Sequence, residues 1–488
     1  MRRRVVILVL IVAILIIAGC GPLPPLLSSA VDRPAVASDG SGGAIVVYEV
    51  YKGNNERRFY AQRISSNGEP LWGQRGTLLG SGFKRGGSYF NLKIVSDDSG
   101  GAIICWCACP SEPNWRLPGP ERRVKFVAHI TKVDSEGNIR WQREIPPGFG
   151  HWPYTLISDG LGGVIIAPSD WGRKLNLLKI DSKGDFSWGG EGISISFRFN
   201  TYGDIRVVSD GLGGAIIVQP TAKQGIFVQR INSEGNILWG QNGIHLCAEP
   251  EEYYIEKGRA VSDGSGGAII IWVKRAIGVH NGKLPSGEIP IQGVYAQKVD
   301  AKGNILWGKE GVPVVLRKGG EKSPENPEVT GDGSGGAIIT WWDCKGANFR
   351  IWAQRVDSEG KILWGENGVK VAEDISPGSP KFSIVSDGSG GAIIVSWWGV
   401  YLIEGFQAQR IDATGKLRWP AGGVLVSIGI EDGSCTSPVI SEDGQGGVLI
   451  AWGVGPILYS PEKSYAQRIN AEGKRMWGEK GILLTPQD

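Results

Sequence analysis

Few residues of this 488-residue chain are placed to do acid–base or metal chemistry. The histidines, His129, His151, His245 and His280, do not recur and sit in no ligand or nucleophile–base motif. Beyond Cys20 the cysteines are Cys105, Cys107, Cys109, Cys247, Cys344 and Cys435. Cys105-x-Cys107-x-Cys109 would put three thiols on one face of an extended strand, but no histidine lies within a few residues to complete a metal site. An even number permits disulfides in an exported chain without fixing any pairing. Glycoside cleavage needs two carboxylates across a pocket, and 49 acidic residues give no means of choosing a pair. The sequence assigns no catalytic residue, no metal and no cofactor.

What does recur is eightfold. The turn Ser386-Asp387-Gly388-Ser389-Gly390-Gly391 has counterparts whose aspartates are Asp39, Asp97, Asp159, Asp210, Asp263, Asp332, Asp387 and Asp443. A tryptophan beside a glycine-containing turn falls at Trp72, Trp141, Trp188, Trp239, Trp307, Trp364, Trp419 and Trp477. The two landmarks alternate strictly. Between them a basic residue occupies one third-strand position in every copy: Arg63, Lys132, Lys179, Arg230, Lys298, Arg355, Arg410 and Arg468. The aspartates have the types of calcium or carbohydrate ligands, but Asp39-Gly40-Ser41-Gly42-Gly43 lacks the alternating acidic positions of a calcium loop. A duty repeated in every copy is simpler to read as side-chain bonds holding a turn. For the same reason the basic residues are expected to make a repeated contact to a turn carboxylate or backbone carbonyl rather than form an anion-binding ring.

Repeats at this spacing, each with the same landmarks, must be built from one supersecondary unit. The sixth copy reads as four strands: 327–331, a tight glycine turn, an apolar run at 337–342, a third strand at 351–357 and a fourth at 361–364. No sustained helical periodicity occurs beyond the N-terminal segment. The expected fold is all-β, an eight-bladed propeller of four-stranded antiparallel blades over 31–488. The tryptophans are expected on the fourth strands, wedged between blades with their N–H groups bonded. Aromatics closing the second strands, Tyr48, Trp106, Trp272, Trp341, Trp397 and Trp452, are expected to pack half-buried, while the doublets add Trp342 and Trp398 on the other face.

Gly360-Lys361-Ile362-Leu363-Trp364 and Gly415-Lys416-Leu417-Arg418-Trp419 resemble the tryptophan-docking motif of quinoprotein-type eight-bladed propellers, Asp-x-x-Thr-Gly-Lys-x-x-Trp. Asp357 and Asp412 stand one residue closer to the glycine than that motif prescribes. As a whole the unit, with its Ser-Asp-Gly-x-Gly-Gly-Ala-Ile-Ile, Tyr-Ala-Gln-Arg and Gly-Asn-x-Leu-Trp-Gly segments, resembles a widespread repeat of exported bacterial proteins over nearly all of 31–485. The first resemblance implies a quinone-dependent dehydrogenase; such enzymes use calcium-binding carboxylates and often an adjacent cysteine pair, which this sequence lacks. The second implies the fold and no established activity.

At the N-terminus, Arg2, Arg3 and Arg4 precede an apolar run at 5–17 that is short for a membrane span. Ile17-Ala18-Gly19-Cys20 resembles the bacterial lipobox. This resemblance implies a signal peptide over 1–19, a lipid on Cys20 and a tether over 20–30, leaving the propeller exported and anchored at the cell membrane or outer membrane. Those three arginines account for the whole formal charge of +3, so the remainder offers no electrostatic case for nucleic acid.

In such a blade the first-to-second and third-to-fourth turns share one rim, here short and nearly invariant. The other rim varies, with long segments at 80–90, 107–123, 247–258, 273–292 and 453–464, and loops on rigid scaffolds commonly carry recognition. Trp115, Tyr253, Tyr254, His280, Tyr401 and Tyr459, with Trp342 and Trp398, are its candidate ligand residues. The expected function is a monomeric binding or scaffolding lipoprotein for an envelope protein or glycan. A glycan hydrolase or lyase, or the quinone dehydrogenase, is the alternative.

Overall fold

The computed structural model describes residues 34–485 apart from 54–55, 84–91, 109–126, 147–148, 150–153, 169–173, 197–204, 222–224, 248–251, 280–282, 319–322, 346–347, 375–379, 398–405, 428–433 and 456–462. The N-terminal segment with Cys20 lies outside the described residues, as do Trp115, His280, Trp398, Tyr401 and Tyr459.

Eight antiparallel sheets follow one another along the chain, each drawn from consecutive strands. Blade one is Ala35–Ser38, Ala44–Gly53, Glu56–Ile64 and Thr77–Phe83; blade six is Glu325–Gly331, Ala337–Lys345, Asn348–Val356 and Val369–Asp374. Blade eight departs slightly, with its first strand in two pieces, Ser434–Cys435 and Val439–Glu442, both paired to Val448–Gly455. The first strand of each blade touches the first strand of the next, and that of blade eight touches Ala35–Ser38. This unbroken circuit puts first strands at the axis and fourth strands outside.

The ring closes side by side. Among the described residues no strand is exchanged between the chain ends, since blade one and blade eight are each complete from their own segment. Across the closing seam Gln445 Nε2 donates to Ser41 O at 3.3 Å, and Arg468 Nη1 and Trp477 Nε1 donate to Ser66 O, each at 3.2 Å.

Eight separate apolar clusters replace a single core, one between each pair of neighbouring blades. The strictly alternating side chains of a second strand explain this: in blade six Ile339 and Trp341 face blade five, while Ile338 and Trp342 face blade seven. Because both faces are covered, Ala337 to Trp342 is buried throughout. Each cluster includes one recurrent tryptophan, from Trp72 between blades one and two to Trp477 between blades eight and one.

One expectation needs correcting. The segment 361–364 is not the fourth strand of blade six: Ile362 makes an isolated bridge to Val356, and the strand proper is Val369–Asp374. Seven blades share this bridge, and between it and the strand lies a turn such as Trp364-Gly365-Glu366-Asn367-Gly368. Gly365 and Gly368 have φ of 76° and 75°, and a Cβ on Gly368 would meet Ala353 O at 2.4 Å. After that turn the fourth strand pairs from Val369 on Ala353, with a bulge between the pairs Trp352–Lys370 and Ile351–Ala372. Blade two lacks the turn, and its fourth strand, Ile139–Glu144, does contain Trp141.

Candidate functional site

On the short-turn rim the recurrent residues meet at the blade seams. In every blade the turn aspartate accepts two backbone N–H bonds on Oδ1, at 2.7 to 3.0 Å, from the residues two and four positions on. In blades one to four and six to eight its other oxygen faces the third-strand basic residue. Arg63 Nε reaches Asp39 Oδ2 at 2.9 Å, and Arg230, Arg355, Arg410 and Arg468 pair with Asp210, Asp332, Asp387 and Asp443 at 2.8 to 2.9 Å.

The same guanidinium then crosses to the next blade. Arg355 Nη1 donates to Ala413 O at 3.0 Å, and Trp364 Nε1 donates to that same oxygen at 3.2 Å. All eight indoles make this bond to the next blade's third-to-fourth turn, at 3.0 to 3.3 Å. The glycine of that turn lies against the ring: a Cβ on Gly360 would come within 2.9 Å of Trp307. In blades two, three and five a lysine replaces the arginine and donates to Gly162 O, Gly213 O and Gly335 O of the following first-to-second turn, Lys179 also reaching Ser233 O at 3.5 Å.

A further recurrent residue belongs to this assembly. Gln354 Nε2 donates to Gly365 O at 2.5 Å while its Oε1 accepts from Trp364 N at 2.8 Å. Gln62, Gln229, Gln297, Gln409 and Gln467 repeat both bonds. The Tyr-Ala-Gln-Arg recurrence was the available signal, but a backbone turn bound by an amide cannot be seen until the turn exists.

Burial would raise the Asp39 carboxyl, but bonds from Ser41, Arg63 and Gly43 outweigh it and hold the group below its ordinary value. Where Lys132 stands in for arginine, a hollow of about 400 Å³ opens between blades two and three, lined by Asp97, Ser99, Lys132, Asp134, Glu136, Arg140 and Ser182. Its charges are largely paired within it, Lys132 with Asp97 at 3.4 Å and Arg140 with Asp134 at 3.6 Å.

The opposite rim is best described over blades five and six. The first strand of blade five is extended, Tyr253–Ser262, through a bulge at Lys257, whose φ is 55°. Tyr253 lies under Lys274 Nζ at 4.5 Å. Arg275 joins Glu256 at 2.6 Å to Glu325 of the neighbouring blade at 2.7 Å. Tyr254 is raised above its ordinary value, chiefly by burial and then by Glu256. Tyr254 thus stands beside the ion-pair cluster and Tyr253 against Lys274, whereas Trp342 is 9% exposed and packs edge-on to Phe349 between blades. The second-strand aromatics Tyr48, Trp106, Trp272, Trp341, Trp397 and Trp452 are all buried in seams, more deeply than half-buried packing implies.

His129 stacks on Trp106 with ring centroids 4.2 Å apart, and burial lowers its pKa. His245 stacks on Phe227 at 4.5 Å. Cys105 and Cys107 share one buried face between blades two and three. Among the described residues no disulfide is formed, and no three of His, Cys, Asp and Glu gather as a metal site would require.

The sequence matches no protein-family model and none of the curated proteins. Solved structures similar to it include a lectin from Burkholderia pseudomallei, with a TM-score of 0.44, 11% identity, and coverage of 81% of this chain and 99% of that one. An ulvan lyase representing a family of polysaccharide lyases gives a TM-score of 0.41 and 10% identity over 92% of this chain and 95% of that one. A eukaryotic initiation factor gives 0.41 and 11% over 93% and 97%. Likeness at this level assigns none of their activities to this chain.

Proposed function

We propose that the protein is a cell-envelope lipoprotein, held at a membrane surface by lipid on Cys20, whose propeller binds or scaffolds protein or glycan ligands through its variable rim. The carrying observation is that the recurrent Asp, Arg or Lys, Gln and Trp side chains are engaged within turns and seams. Chemistry that differs from blade to blade stands on the other rim, as with Tyr253, Tyr254 and the Arg275 cluster.

Crosslinking in the native envelope tests this. Wild type is expected to capture a partner or glycan that Tyr254→Ala captures less well, with thermal stability retained in both. Capture unaffected by variable-rim substitutions, but lost on changing exposed short-turn residues such as Glu136 and Glu359, would overturn the reading. Labelled fatty acid is expected to enter wild type and not Cys20→Ser; equal labelling, or none in either, removes the anchor.

A further inference from the structure

Above blade five the chain leaves its second strand, Ala268–Ala276, and returns to the third, Ile291–Val299, through a projecting knob on the variable rim. Its described part, 277–279 and 283–290, is tied down at several points. Ile277 N donates to Glu252 O at 2.7 Å, and Ser286 donates to both carboxylate oxygens of Glu252, from N at 2.8 Å and from Oγ at 3.1 Å. Ile291 N donates to Tyr253 Oη at 3.3 Å, and Leu284 is buried. Pro285 packs on Gly278, where a Cβ would meet its Cγ at 3.3 Å. On this footing Ile277, Val279, Ile289 and Ile291 are 38%, 38%, 60% and 41% exposed. Single exposed aliphatics are ordinary, but four within fifteen residues of one braced loop are a concentration of apolar surface.

The start of the propeller suggests what covers it. Ala35–Ser38 runs toward the Asp39 turn on the short-turn rim, so Pro34 lies at the opposite, variable rim and near the axis. Residues 21–33 separate it from Cys20, a reach of about 45 Å when fully extended. The tether therefore leaves from the rim that carries the knob. Both signs of charge flank the knob, Lys274, Lys283 and Lys318 beside Glu252 and Glu288, so no single sign of charge points to an oppositely charged protein. What remains is aliphatic surface on the rim from which the tether leaves.

We infer that the blade-five knob docks into the interfacial layer of a lipid bilayer, orienting the disc with its variable rim toward the membrane. This rests on reading Cys20 as lipidated, and the test lets the two fail separately. All eight blades come from residues after Pro34, so the chain from Gly21 onward retains every strand. With an N-terminal histidine tag it is captured on phosphatidylcholine vesicles through a nickel-chelating lipid, which supplies the tether whatever happens to Cys20 in the cell. Fatty-acid labelling of the full chain reports the lipid independently. Amide exchange at 283–291 is expected to slow about tenfold on vesicles, insensitively to salt, with no change at the Asp210 and Asp332 turns of the far rim. The double variant I277D and I289D should lose that slowing while its seams remain protected. Exchange at the knob that is equal on vesicles and in solution overturns the inference, as does protection of the short-turn rim. Protection that arises only when an envelope protein extract is added overturns it in favour of a protein partner.

Discussion

Ala413 O accepts from both Trp364 and Arg355, so one carbonyl carries two ties across the seam between blades six and seven. Removing the indole N–H while keeping an aromatic ring, Trp364→Phe, should cost about 1–3 kcal/mol by chemical denaturation, from one lost bond and the area of the smaller ring. Glycine substitutions separate backbone strain from ring contact. At Gly333, with φ of 73°, an added methyl would meet nothing within 4 Å, whereas at Gly360, with φ of 88°, it would meet Trp307 at 2.9 Å. Gly333→Ala should therefore cost about 1–2 kcal/mol for its left-handed backbone alone, and Gly360→Ala clearly more; equal costs would contradict the stacked geometry. Buried titratable groups contribute to the acid response in both senses. His129 is held below its ordinary value by burial, partly opposed by Glu144, so its contribution is full above its unfolded pKa of about 6.5 and declines as pH falls. Asp39 is likewise lowered, and its contribution is present above about 3.9 and lost as pH falls through its folded value. Glu442, raised by burial and then by Asp443, acts in the opposite sense and is favoured at low pH. Melting temperature should thus decline first below about pH 6.5, a step that His129→Phe removes, and again below about pH 4.

At the scale of the strand and turn, Gln354 and Arg355 are neighbours with separate duties. Gln354 holds the Trp364-Gly365 turn, and Gln354→Leu would leave a buried N–H and a carbonyl unpaired, costing about 2 kcal/mol by denaturant unfolding. Arg355→Met would strand the Asp332 carboxylate, 1% exposed, at about 3 kcal/mol, whereas Arg355→Lys should cost far less because lysine serves in three seams already. Losses of equal size for Met and Lys would sink that argument. These duties also mark what sequence could convey. The Asp turn and the apolar second strand were legible because a tight turn and a two-sided burial each impose residue types locally. The fourth strand was misplaced because the most prominent residue of the region, Trp364, belongs to the turn before the strand and not to Val369–Asp374 itself. The role of the glutamine was hidden with that turn. On the variable rim, residue type alone did not separate Trp342, which is buried in a seam, from Tyr254, which stands by an ion-pair cluster.

For the molecule as a whole, eightfold repetition implies eight seams only if the ends meet. The sequence supplied eight copies, and closure follows from contacts 402 and 411 residues apart in the chain, Arg468 and Trp477 on Ser66 O. With no interlocking strand among the described residues, that seam depends on the same indole, guanidinium and turn as the others, and the rigid disc they form is what leaves the opposite rim free to vary. The direct test compares Trp477→Ala with Trp364→Ala by equilibrium unfolding. A closed ring makes the two seams equivalent, so both variants should lose about 3–5 kcal/mol and agree within about 1 kcal/mol. A large loss for Trp364→Ala beside little or none for Trp477→Ala would mean that the terminal indole faces no neighbour, and the ring account would be wrong.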